Sequence, residues 1–201
     1  MGIQSDVQVG FIADENAADP DRLVTAARPN TSATMATTTF LGGGARNVTV
    51  TTTGTGDNAK TCTITGTDVF GNSITEVIVS TGSAEAVAGA KLFLTVSGVE
   101  CSAQYAANIT VGSGSLCASA VAGGNRTRMK GYSIVSAGTA GLVDFYNGTP
   151  EDGTIIFKAQ TLGTDNTTID NTIPDEGILF DSGLAISYTV ATVVLANIFF
   201  A

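Results

Sequence analysis

Residues 61–79 read TCTITGTDVFGNSITEVIV, and this stretch decides the fold. Cys62 and Ile64 alternate with Thr61, Thr63 and Thr65, the period-two pattern of a strand with one face in a core. Asp68 to Asn72 then supplies turn chemistry centred on Gly71-Asn72, and SITEVIVS runs back as the return strand. The segment therefore predicts an antiparallel hairpin.

Upstream, NVTVTTT sets Val48 and Val50 on one face, and Gly54, Gly56, Asp57 and Asn58 make a turn before the hairpin. Downstream, KLFLTVSGV and then NITVG bring the count to about five strands ending near Gly114, the spacing of a small antiparallel sandwich. SGSLCASAVAGGNRTR reads as a linker of small residues. The second half then offers GYSIVSAG, GLVDFYNG, GTIIFKAQ, IPDEGILF, LAISYTV and VVLANIFF, about six strands, with a turn signal at Asn147-Gly148 and an irregular polar stretch from Thr161 to Thr172.

Residues 1–45 read as an arm. Asp14, Glu15, Asp19, Pro20, Asp21 and Pro29 break any long period, and DPDRLVTAA could open one short helix with Asp19 as N-cap and Pro20 at the first helical position. An arm this weakly patterned would gain order mainly by docking. The expected fold is all-β: an extended N-terminal arm (1–45), an Ig-like β-sandwich (46–115), a linker (116–127), and a second sandwich or jelly-roll-like domain (128–201).

Charged residues are only 13% of the chain, about half the usual share, while hydrophobic residues reach 43%. Abundant Thr, Gly, Ala and Val favours strands. Low charge with many threonines fits either faces covered by other subunits or a hydroxyl-rich exposed face. The net charge of −9 argues against nucleic acid as a partner, because such binding needs Lys and Arg to neutralise phosphates. The one basic cluster is Arg126, Arg128 and Lys130, open to two readings: a solvated junction, or a contact for an acidic surface. MGIQSDVQVGF lacks the basic and apolar regions of a signal peptide. Leu184 to Phe200 is uncharged, but its alternation reads as two strands, so no membrane span is expected.

The chain has no histidine, so no Ser–His or Cys–His pair can form. Glu151–Asp152 and Asp175–Glu176 are the paired acids, and both sit beside Pro and Gly in predicted turns, where carboxylates are solvated. Asp165, Asn166, Asp170, Asn171 and Asp175 offer oxygen ligands for Ca²⁺ but lack EF-hand spacing; an Asx-rich loop is the plainer reading. Cys62, Cys101 and Cys117 have no C-x-x-C spacing. Cys62 reads as a buried free thiol, and a Cys101–Cys117 bridge is conceivable without support from spacing. The expectation is a non-enzyme with no cofactor and no metal, made in a reducing cytoplasm.

TITGTDVFGNSITEVIV, AGAKLFLTVSGV and NITVG together resemble a β-module of tailed-bacteriophage virion proteins. Thr63 to Thr67, Asp68, Gly71, Asn72, Thr75, Glu76, Lys91, Phe93 and Val111-Gly112 carry that resemblance. The second half, with KGYSIVSAGTAGLVDFYNGTPEDGTIIFKAQT and IPDEGILFDSGLAISYT, resembles another phage virion module; the two cover residues 46–114 and 128–201. The resemblance implies a structural protein, foremost a capsid decoration (cement) protein on the outer surface of the major capsid protein shell, assembled as a symmetric oligomer such as a homotrimer. A neck, tail or baseplate component is the second reading. A carbohydrate-binding or adhesin module is the third, weakened by the absence of Trp. The expected partner contacts are Asp19, Arg22 and Arg28 in the arm and Arg126, Arg128 and Lys130 in the junction.

Overall fold

A computed structural model describes residues 7–12 and 17–201 of the chain, and within them the secondary structure is β throughout, with one 3-10 turn at Thr55–Asp57 and no α-helix. The residues gather into two compact units. Strand β1 (Gln8–Ile12) belongs to the C-terminal unit. The N-terminal unit, described from residue 17 to Cys117, holds β2 (Val24–Ala27), β3 (Ala45–Thr52), β4 (Thr61–Thr67), β5 (Ser73–Val79), β6 (Ala86–Phe93), β7 (Thr95–Cys101) and the first part of β8 (Ile109–Ala122). The C-terminal unit holds the end of β8, then β9 (Thr127–Ser136), β10 (Leu142–Asn147), β11 (Thr154–Gln160), β12 (Thr167–Thr172), β13 (Ile178–Phe180), β14 (Leu184–Thr189) and β15 (Val193–Phe200).

The hairpin read from residues 61–79 forms in unbroken register, from Thr61 opposite Val79 to Thr67 opposite Ser73. Its turn is self-contained. One Asp68 carboxylate oxygen accepts the Phe70 and Asn72 amides at 2.8 and 2.9 Å, the other accepts the Asn72 side chain at 2.9 Å, and Gly71 takes φ +85°. β7 pairs with the other side of β4, where a Cβ on residue 66 would overlap the Thr95 carbonyl, so only glycine fits.

This three-stranded sheet faces a second one built from β2, β8, β3 and β6. Between them lie Val48, Val50, Cys62, Ile64, Phe93, Val96, Val99, Ile109 and Val111, all buried. Each such side chain contributes about 1.5–3 kcal/mol relative to exposure. KLFLTVSGV, expected as one strand, is two: the chain leaves one sheet at Phe93 and enters the other at Thr95, while the Leu94 amide donates to the Thr67 carbonyl.

The expected arm is built into the fold. Leu23, Val24 and Phe40 are core residues of the N-terminal unit, and residues 29–39 run along β7, with the Ala33 amide on the Val99 carbonyl and the Val96 amide on the Thr38 carbonyl. Residues 1–6 and 13–16, including Asp14 and Glu15, lie outside the described residues. The short helix expected over DPDRLVTAA is instead a turn followed by β2. The Asp19 amide donates to Ser113 Oγ and its carbonyl accepts the Ser113 amide, so the backbone of the expected cap is already bound to β8.

Residues 116–127, expected as a linker, are the end of β8, a tight turn, and the start of β9. A neighbouring strand approaches closely there: a Cβ on Gly10 would meet Val121 at 2.7 Å.

In the C-terminal unit one sheet runs β1-β15-β9-β12, with β13 also on β9, and β11, β10 and β14 pair in a second. Tyr132 of the first packs on Phe145 and Phe157 of the second, ring centroids 5.9 and 5.7 Å away. Met129, Ile134, Phe180, Ile186 and Ile198 complete the core. The polar stretch from Thr161 contains a strand, β12, paired in register with β9. Leu184 to Phe200 forms β14 and β15, and no helix among the described residues is long and apolar enough to cross a membrane.

Candidate interaction surface

The six residues expected to contact a partner are divided between the two units. Arg126 lies in the β8–β9 turn and pairs with Asp181 at 3.4 Å, both well exposed. Arg128 reaches the Glu176 carboxylate at 3.4 Å and donates to its carbonyl, and Lys130 donates to the Asp175 carbonyl at 3.2 Å. The basic cluster thus faces an acidic segment of its own unit, and exposed pairs of this kind contribute about 0–1 kcal/mol. Asp19, Arg22 and Arg28 fall in the N-terminal unit. Arg28 Nε donates to the Tyr105 carbonyl at 2.7 Å, Arg22 Nε to the Thr39 carbonyl at 3.3 Å, and Asp19 Oδ1 accepts the Asp21 amide. They fasten the N-terminal segment to its own sandwich.

The paired acids Glu151–Asp152 and Asp175–Glu176 both lie in turns. The Asp152 amide donates to Thr149 Oγ1 within a turn, Asp175 occupies a left-handed turn at φ +57°, and Glu176 serves Arg128. Of the oxygen-rich set, Asp170 and Asn171 are consecutive strand residues, so they point to opposite faces of β12. Among the described residues no three Asp, Glu or Cys side chains converge as metal ligands.

The densest polar cluster lies inside the N-terminal unit, and sequence reading missed it. Asp57 is fully buried. Its Oδ1 accepts Lys60 Nζ at 2.8 Å and the Ala106 amide at 2.6 Å, and its Oδ2 accepts the Ala107 amide at 3.2 Å. Burial pushes this carboxyl up, but the Lys60 ammonium and the two amides outweigh it and hold it below the usual range. Lys60 also sits over the Tyr105 ring, 5.4 Å from its centroid. The Tyr105 hydroxyl lies 3.2 Å from both Cys62 Sγ and Ser80 Oγ, and Cys62 Sγ is 4.0 Å from Cys101 Sγ. The hydrogen bond from Cys101, stronger here than desolvation, lowers the Cys62 thiol, and Tyr105 adds to it; the same contact raises Cys101. Cys117 is elsewhere, its sulfur accepting from Arg46 Nη1 at 3.1 Å. No signal in sequence pairs Cys62 with Cys101, because the register of β4 on β7 creates the contact.

Large hydrophobic side chains open to solvent gather on edge strands: Val77 and Val79 on β5 of the N-terminal unit, and residues of β1 and β11 in the C-terminal unit. β1 ends one sheet and presents Val9 and Phe11, 54% and 67% exposed, on one face with Val7. β11 ends the other and exposes the adjacent Ile155 and Ile156. An edge strand carries backbone donors and acceptors that another chain can pair, and apolar side chains there favour such pairing. A shallow hollow of about 400 Å³ opens beside β1, lined by Gln8, Asn125, Arg126 and Phe200 among others. The chain matches no protein-family model, no curated protein and no solved structure.

Proposed function

We propose that this chain is a non-enzymatic structural protein of a tailed-phage virion, a capsid decoration (cement) protein that binds the outer surface of the major capsid protein shell as a symmetric oligomer such as a trimer. The observation that carries the reading is the apolar edge strands β1 and β11, with Phe11 and Ile156 in solvent on a chain of low charge. Isolated exposed hydrophobics are ordinary, but clusters on unpaired edges are what folded monomers avoid. The sequence resemblance supplies the setting, and the hairpin residues behind it have structural duties: Asp68 closes the turn, and Glu76 accepts the Ala90 amide of β6 at 2.7 Å.

A decoration protein occupies many equivalent positions, each with a modest interface. Densitometry of purified particles should therefore find it in fixed proportion to the major capsid protein. A handful of copies per particle would move it to the neck, tail or baseplate, and absence from particles would end the reading. Particles stripped of it should release DNA at a lower temperature than intact ones; unchanged release would remove the cementing role.

A further inference from the structure

We propose that Cys62 and Cys101 form a reversible cross-strand disulfide that straps β4 to β7 when the protein meets an oxidising environment. The two residues are directly opposite in the antiparallel register. The adjoining pair, Thr61 and Ser102, is the hydrogen-bonded one, with the Ser102 amide on the Thr61 carbonyl, and the Cys101 amide turns away to the Thr31 carbonyl. Cys62 and Cys101 therefore occupy a non-hydrogen-bonded site, where Cα atoms approach to about 4.5 Å and side chains are closest. That spacing falls at the short end of the roughly 4.4–6.8 Å spanned by disulfides. Their sulfurs are 4.0 Å apart, near enough for side-chain rotation to close the bond without moving either strand.

Cys101 is partly exposed and Cys62 fully buried, which fixes the order of events. With a small disulfide such as glutathione disulfide as oxidant, Cys101, the sulfur an oxidant can reach although its contact with Cys62 makes it the harder to ionise, first loses its proton to solvent. The Cys101 thiolate attacks one glutathione sulfur, forming a mixed disulfide and expelling one glutathione thiolate. Cys62 then loses its proton to solvent, the Tyr105 hydroxyl stabilising the thiolate. It attacks the Cys101 sulfur and expels the second glutathione thiolate. The protein gives up two electrons and two protons, and the oxidant becomes two thiols. A reducing cytoplasm keeps the pair open and an external medium closes it. The inference does not depend on the virion reading.

The test is incubation of the purified, reduced protein in glutathione buffers of rising oxidised fraction, followed by thiol counting and peptide mapping. Of the three thiols, one should remain, with the Cys62 and Cys101 peptides joined, and reductant should reverse this. Cys117→Ser should bridge like wild type, whereas Cys101→Ser should keep all its thiols. The oxidised form should melt several degrees higher. A persistent glutathione adduct on Cys101, a bridge to Cys117, only intermolecular links, or three unreacted thiols in the folded wild type would each overturn the proposal, and none requires a variant to fold.

Discussion

The two units differ in how their edge strands are tied to their own fold, although β5 of the N-terminal unit also leaves Val77 and Val79 in solvent. In the N-terminal unit residues 29–39 lie along β7, and the Glu76 carboxylate ties β5 to β6 through the Ala90 and Lys91 amides. In the C-terminal unit β1 and β11 end their sheets with valines, isoleucines and a phenylalanine outward. Their interiors differ as well. One holds a buried Asp57–Lys60 pair and a Tyr105–Cys62–Ser80 cluster, and the other is centred on three packed aromatic rings. The contrast teaches that the N-terminal unit adds buried polar groups to its apolar core and leaves one apolar edge, β5, in solvent, while the C-terminal unit is centred on packed rings and leaves two, β1 and β11.

If apolar packing holds the C-terminal unit, its largest weakness is the ring cluster. Phe145→Ala removes the ring that contacts both Tyr132 and Phe157, and should lower unfolding free energy by about 4 kcal/mol. Hydrogen exchange should quicken along β10 and β14, read against denaturant midpoints. A loss below about 1 kcal/mol would mean that the rings do not organise this core.

A smaller effect is expected from the polar interior of the N-terminal unit. Asp57→Asn leaves Lys60 without its counter-charge and should cost about 2–3 kcal/mol, less than a fully buried pair because Lys60 reaches solvent. The pH dependence sharpens this. The Asp57 carboxyl is lowered in the folded state, so its contribution is complete above the ordinary carboxylate value of about 4 and drains away as pH falls below it. Wild-type stability should thus decline more steeply than that of the variant below about pH 4. Parallel curves in urea titrations would show that Asp57 is not what closes the loop at Ala106 and Ala107.

The same contrast explains what could be read from sequence. The hairpin was legible because its information is local: alternation at Cys62 and Ile64, and a turn whose Asp68 satisfies its own neighbours. Most strands from Gly131 onward were legible for the same reason, but β12, read as part of an irregular polar stretch, was not. What was hidden depends on partners far away in the chain. Asp19 reads as a helix cap until Ser113 occupies its backbone, and residues 116–127 read as a linker because small side chains in a strand resemble those in a loop. The cysteine pair was invisible because the register of β4 on β7 sets it, and nothing near residue 62 or 101 writes that register. Ile156 was read only as a generic β residue and Phe11 as part of the arm, since exposure is decided by which strand ends a sheet.

The smallest change in folding stability is expected where the proposed function should suffer most. Phe11→Lys and Ile156→Lys place a charge on exposed positions of β1 and β11, and each should alter unfolding free energy by no more than about 0.5 kcal/mol. A lysine on an edge strand is a recognised guard against pairing with another chain, because approach would desolvate the ammonium. Sedimentation of the wild type should therefore reveal an oligomer that the two variants lose, and binding to stripped particles should fall with it. Variants that associate like wild type would show that these edges are bare without being interfaces. The contact role proposed for β1 and β11 would then fail, although both cores would stand.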